Sequence, residues 1–381
     1  MFWYLIILAI ILLLGLVSRE GGLKRQDWSK TVVFGCCAVL LFFAVFRDSE
    51  IGADTDSYES LFLWVRSFDL SELADATSSF WFFADSDFLY RVYNGVVGLF
   101  TDNPRSITAL NSLIIIALLA VMSVRQSADP WLSVLMYVCL GLYQLGLNLS
   151  PSFMASLIVL CGVPFAQKKK LIPFLVCVLC SAIFHPAALV MAVIYPLAQV
   201  KLTPRRFWLM MLVGVALASV GYRLVLSVLT PILPAQYLMY LGGEELNFEK
   251  LAVWLMQFGV FIIAYLFCND RNRLFEEQRS ALWIFLVETI LYFFVMQSAG
   301  LNRAAFLFMP YIIVLIPNML EQSFCSSSAR KPMPSDCTER RLFIRHHNLV
   351  KLVIIVVCIL GYIARMSINN IGMTMPYEFY F

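Results

Sequence analysis

What this chain has least of is charge. Of its 381 residues, 14% are charged and 61% hydrophobic, and the mean hydropathy is +0.80, whereas a soluble domain keeps its apolar share near about 45–50%. An ordinary soluble protein is excluded. Also missing is any polar tract long enough for a soluble catalytic domain, because apolar runs suited to a ~30 Å hydrocarbon core recur along the whole length. A site must then be built from helix ends and loops. Histidine is scarce, with three residues, and no internal repeat is visible, which weakens transporter readings that need two related halves. The first run, MFWYLIILAIILLLGLV, has no basic segment before it and no small-residue cleavage site after it. It reads as a retained span and not a signal peptide.

What is present is a series of spans, about twelve by the ~20-residue criterion. They lie near 1–17, 31–46, 106–124, 130–148, 152–166, 171–184, 186–200, 207–228, 251–268, 281–298, 304–320 and 350–365. The pair 171–184 and 186–200 could form one kinked helix at Pro186. Counting it as two places 20 of the 28 basic residues on the side of the first loop, as the positive-inside rule demands of the cytoplasm. Both termini, a large segment 47–105 and a smaller one 229–250 then lie outside. Every cysteine falls in a span or a cytoplasmic loop, so no disulfide framework is implied.

Between Arg47 and Asp102 acids outnumber bases by 11 to 3. This stretch is rich in aromatics, and Phe88, Val92, Val96 and Leu99 recur at helical spacing, which predicts an interfacial or re-entrant helix. Residues 323–347 are rich in Ser, Pro and Arg and read as a loop, flexible in its first half.

Asp54 and Asp56 form a D-x-D. A sugar-nucleotide metal site would need them in the cytoplasm, and a calcium loop would need Gly at the sixth position and Glu at the twelfth. Either they cap a helix through SYESLFLWV, or they hold Arg47 and its neighbours in place. The external arginines Arg47, Arg91, Arg223, Arg303 and Arg365 either snorkel to headgroups or bind phosphate through their fixed forks. Ser150 with Pro151, and His185 with Pro186, read as capped helix starts aimed at the outer face, where N-termini attract anions. His185 is either a base or a packed histidine satisfied by a backbone carbonyl. Glu288, in mid-span, should face a polar cavity or an arginine such as Arg223.

Arg47 with IGADTDSY, Asn148 in the turn between the fourth and fifth spans, FHPAAL around His185, LNRAAF around Asn302 and Arg303, and the terminal MPYEFYF resemble the EpsG-type branch of the Wzy polymerases. One departure stands out. The family commonly shows N-x-x-R-Q-x-x-A in that turn, and here NLSPSFMA puts Pro151 and Ser152 where the arginine and glutamine would be.

The resemblance implies a single transmembrane domain over 1–381, all-α, polytopic and GT-C-like. Its periplasmic loops would be 47–105 and 229–250, and its cytoplasmic loop 321–349, in a bacterial inner membrane with both termini periplasmic. It implies a glycosyltransferase that needs neither metal nor cofactor and moves a growing glycan from undecaprenyl diphosphate to a hydroxyl of the next lipid-linked repeat unit. The implied partners are undecaprenyl-diphosphate-linked glycans, membrane lipid, a chain-length regulator and a flippase, with no nucleic acid. Arg47, Arg303 and Arg365 would contact the diphosphate, with Arg91 or Arg223 as substitutes. His185, Asp54 or Asp56 would act as base, and Tyr58, Asn148, Ser150, Glu288 and Asn302 would help bind substrate. The rival readings are a lipid-linked oligosaccharide flippase, an O-antigen ligase, a membrane acyltransferase relying on His185, and an ion or solute transporter relying on Glu288.

Overall fold

The computed structural model describes residues 1–20, 25–67, 88–220, 224, 227, 231, 248–268, 270–295, 302–330, 337–368, 370 and 373–380. Side chains are left out at 17–20, 25–29, 220, 248–250, 294–295, 302–303, 323–330 and 337–347. Among the described residues the fold is all-helical. Among these residues the only extended pairing is one antiparallel bridge between Arg47 and Phe379.

In chain order the helices are α1 (Phe2–Glu20), α2 (Arg25–Val45), α3 (Thr55–Arg66), α4 (Phe88–Gly98), α5 (Arg105–Gln126), α6 (Pro130–Cys139), α7 (Leu142–Asn148), α8 (Ser150–Cys161), α9 (Val163–Gln167), α10 (Leu171–Ala182), α11 (Ile194–Gln199), α12 (Pro204–Val220), α13 (Phe248–Leu266), α14 (Arg271–Glu277), α15 (Arg279–Val295), α16 (Asn302–Phe308), α17 (Ile312–Arg330) and α18 (Cys337–Ile368). A 3-10 helix, Pro186–Val193, leads into α11. Four described helices are long and apolar enough to cross a membrane: Arg105–Gln126, Ser150–Gln167, Ala304–Gln322 and Asn348–Ile368. The bent pair α6 and α7 makes five. The protein is therefore embedded in a membrane.

Local chemistry sets the joints. Asp129 Oδ1 caps α6 by accepting from the Leu132 N–H at 3.2 Å, and Pro130 fills the first turn. Gly141, at φ +75°, then takes a left-handed conformation, and α7 leaves at 65° to α6. A break of this kind frees carbonyls that apolar surroundings cannot satisfy. Arg365 of α18 answers one of them, its Nη1 donating to Leu140 O at 2.9 Å, while Gln144 Nε2 meets Tyr362 Oη at 2.5 Å.

The stretch 171–199 is a hairpin and not one kinked helix. α10 packs on the 3-10 helix that follows it. Gln199 Nε2 returns to Ala166 O at 2.7 Å and Tyr195 Oη to Lys169 O at 3.2 Å. In α4 the expected helix forms, with its apolar stripe outward. Phe88, Val96 and Leu99 are exposed, and Tyr90, Arg91 and Asn94 are buried, as suits a helix whose apolar side has lipid for solvent. The expected loop 321–349 is mostly helical, because α17 runs to Arg330 and α18 starts at Cys337. Most of 229–250, and Phe68 to Asp87 within 47–105, lie outside the described residues.

Candidate functional site

Four pieces of chain meet at one end of the bundle: the start of α1, the loop after α2, the end of α7 and the C-terminal tail. Tyr4 Oη donates to Thr374 O at 3.1 Å, and Tyr377 Oη to Phe43 O at 2.6 Å. The Asp48 N–H donates to Glu378 O at 3.0 Å, and the Tyr380 N–H to Phe46 O at 3.1 Å. The Gly52 N–H donates to Met373 O at 3.1 Å. Both termini thus share one end with residues 46–55.

Arg47 is at the centre of this junction, 1% exposed. Its Nη1 donates to Ala44 O at 2.6 Å and to Ser112 Oγ at 3.1 Å, and its Nη2 to Leu147 O at 3.2 Å. Its Nε–H has no hydrogen-bond partner among the described residues, and no carboxylate pairs with it there. Desolvation lowers its pKa below the usual arginine value, yet a guanidinium stays charged under ordinary conditions. A buried cation met only by neutral oxygens is suited to an incoming anion.

Asn148 ties the loop to α7, its Oδ1 accepting the Asp54 N–H at 2.9 Å. Gly52 makes that approach possible. Its φ is +97°, and a Cβ there would stand 2.9 Å from Thr55 Oγ1 and 3.4 Å from Leu147 O. Asp54 occupies the N-cap position of α3 without a side-chain cap bond. Its Oδ2 instead accepts from Tyr58 Oη at 3.4 Å. Asp56 is exposed. Among the described residues no three His, Cys, Asp or Glu side chains gather as a metal site would need.

The capping roles expected of Ser150 and His185 are not taken up. Ser150 is itself the first residue of α8, and its Oγ turns back to Gly146 O at 3.1 Å and Leu147 O at 3.3 Å, closing the end of α7. His185, buried and extended at φ −158°, precedes a 3-10 helix without a side-chain cap bond. Its neighbour Phe184 meets Tyr93 edge-on at 5.2 Å, and Tyr93 stacks on Tyr90 at 5.7 Å. Tyr58 meets Tyr90 at 6.2 Å, so a row of rings runs from the loop helix α3 across α4 to the His185 turn. Burial pushes the Tyr90 phenol up to about 12, and its neutral Oη accepts from Asn111 Nδ2 at 3.0 Å.

Arg365 and Arg47 hold the two ends of the α7 segment, at Leu140 and Leu147. Arg91 is buried, with its guanidinium 5.9 Å from the Phe88 ring. Glu288 is 2% exposed on α15. Arg223 lies outside the described residues, as do the side chains of Asn302 and Arg303. The helix that carries the latter two, α16, packs on α8, where Ser156 Oγ donates to Leu307 O at 2.6 Å.

Arg105, and its pairing with Glu59 of the acidic stretch, are not read from the sequence. Arg105, opening α5, donates through Nη1 to Glu59 Oε1 at 3.1 Å and through Nη2 to the carbonyl of Arg47, and it stands 4.4 Å from the Tyr380 ring. Glu59, 7% exposed, also accepts from Thr108 Oγ1 at 2.7 Å. The available signal was the excess of acids up to Asp102, with a lone arginine entering the next span.

This geometry defines the class: an all-helical membrane protein with a buried, arginine-centred junction at one end. The EpsG family model matches residues 30–331, and the chain belongs to that family. No curated protein and no solved structure matches it. Tyr4, Arg365 and the tail lie beyond the matched residues.

Proposed function

We propose that this protein polymerises undecaprenyl-diphosphate-linked repeat units into O-antigen or a related surface polysaccharide at the periplasmic face of a bacterial inner membrane. Membership in the EpsG family supports a polysaccharide repeat-unit polymerase, a glycosyltransferase of the membrane. The observation that carries the finer reading is Arg47, a buried guanidinium with an undonated Nε–H and no carboxylate among its described neighbours. In the transfer, the acceptor hydroxyl attacks the anomeric carbon of the growing glycan, and its proton passes to a base. The bond to the phosphate oxygen breaks, and undecaprenyl diphosphate leaves with the electron pair. Charge grows on that diphosphate, so fixed donors there lower the barrier. Arg47 supplies one, with Arg303 and Arg365 as further contacts and Arg91 or Arg223 in support. His185, Asp54 or Asp56 takes the proton.

In this reading about twelve spans form a GT-C-like bundle. Both termini and 47–105 are periplasmic, and no metal takes part. The ring row Tyr58, Tyr90 and Tyr93 and the carboxylate of Asp54 suit a neutral sugar. A chain-length regulator and a flippase work beside it.

The test is the polysaccharide ladder of a deletion strain complemented by variants. Accumulation of core bearing a single repeat unit supports a polymerase. Failure to bring single units to the outer face supports the flippase, and loss of single-unit capping supports the ligase.

A further inference from the structure

A polar seam lies between α13 and α15, inside an otherwise apolar part of the chain. Two ring pairs fix the register. Trp254 meets Phe293 at 4.7 Å and Phe261 meets Phe285 at 4.4 Å, so the two helices run antiparallel. Gln257 lies between the rings of α13 and Thr289 between those of α15, which brings the two to one level. Spacings of three and four residues put each on the ring-bearing stripe of its own helix, with Glu288 beside Thr289. Gln257, Thr289 and Glu288 are 2%, 0% and 2% exposed. Gln257 Oε1 and Nε2, Thr289 Oγ1 and Glu288 Oε1 have no hydrogen-bond partner among the described residues.

Unjoined polar atoms are costly in a dry, apolar place, and a carboxylate most of all. Among titratable groups nearby, Tyr292 on α15 interacts electrostatically with both Glu288 and Arg365. Arg365 donates through Nη1 to Leu140 O. The packed elements add the phenols of Tyr195, Tyr265 and Tyr311 and, on α16, Arg303, whose side chain lies outside the described residues, while Arg205 and Arg206 of α12 are exposed. None of the ion pairs among the described residues includes Glu288.

We propose that this seam binds one small monovalent cation, sodium or a proton, on Glu288. Thr289 and Gln257 complete the oxygen set for sodium. The ligand is a cation because the one ionisable group is a carboxyl. It is monovalent because a divalent ion would leave net positive charge in apolar surroundings, and small because the residues it must reach are buried. Oxygen donors suit such a hard ion. This goes beyond the transfer reaction, which needs no such ion. Its effect is to pin α13 to α15, the helix that leads through 296–301 to α16.

The experiment is thermal unfolding of the purified full chain in nanodiscs, in sodium chloride or N-methyl-D-glucamine chloride at equal ionic strength, from pH 6 to 9. For sodium, wild-type protein melts higher by about 2 °C or more in sodium at fixed pH, and Glu288→Gln and Thr289→Val each flatten that response. For a proton, sodium changes nothing. The wild-type midpoint falls as pH rises, because deprotonation leaves a bare carboxylate buried, and Glu288→Gln removes that fall. A wild-type midpoint indifferent to both, or a response that Glu288→Gln retains, overturns the proposal. Thr289→Val keeps the carboxyl and the side-chain shape, so a folding defect in one variant leaves the other readable. Polysaccharide ladders are not the readout, so failure here is separate from failure of the polymerase reading.

Discussion

The backbone N–H of Asp54 donates to Asn148 Oδ1 at 2.9 Å across 94 residues of chain. That bond joins the D-x-D loop to the turn between α7 and α8, and it needs an acceptor, not an amide. Asn148→Asp keeps an oxygen in place, and polysaccharide ladders from it should stay longer than those from Asn148→Ala, which loses the tie. Equal ladders from the two variants would show that the bond does not matter for polymer length.

Arg47 makes three hydrogen bonds to neutral oxygens and keeps a donor in reserve. A lysine cannot span Ala44, Ser112 and Leu147 with one ammonium while presenting a fork. Arg47→Lys and Arg47→Ala should therefore both abolish long chains at normal membrane levels. Full-length ladders from Arg47→Ala would remove the proposed role.

The pair Arg105–Glu59 is 11% and 9% exposed at its side chains. Removing one partner of a buried pair leaves an uncompensated charge and costs about 3–5 kcal/mol. Arg105→Met alone and Glu59→Gln alone should lower the melting midpoint more than the two together. Additive losses in that double-mutant cycle would mean the pair is not coupled.

Gly52 is held at φ +97° with Thr55 Oγ1 where a Cβ would go. Gly52→Ala should cost about 1–3 kcal/mol in strain and shorten polymer by displacing Asp54 from Asn148. A wild-type midpoint and ladder in this variant would show that the loop shifts at no cost.

Asp56 is exposed, and Asp54 turns its carboxylate to Tyr58. Polymer formation in washed membranes should survive EDTA. Loss of activity on chelation, restored by a divalent ion, would return the D-x-D to the metal reading.

Much of this was legible along the chain. Period and run length give helices at α1, α2, α5 and α10, since a bilayer forces every backbone group into internal hydrogen bonds. Local pattern marks Arg47 and Asp54, the family resemblance marks Asn148, and the fold brings the three together. The roles of Ser150, Arg365 and Arg105 were not legible. Ser150 looks like a cap in any window, and only the bend at Gly141 gives its hydroxyl two carbonyls to close. Arg365 looks like a headgroup anchor until α18 lies against the broken span.

The sequence by itself determined that this is a membrane-embedded helical protein of the EpsG family, because apolar run length and motif residues are properties of neighbouring positions. Tertiary structure alone decided which polar groups would share the junction. Arg47 meets Leu147, Arg105 meets Glu59 and Tyr4 meets Thr374 across long stretches of chain. Inside an apolar bundle each donor must find whichever acceptor the packing brings near, and that pairing is not written in any local window.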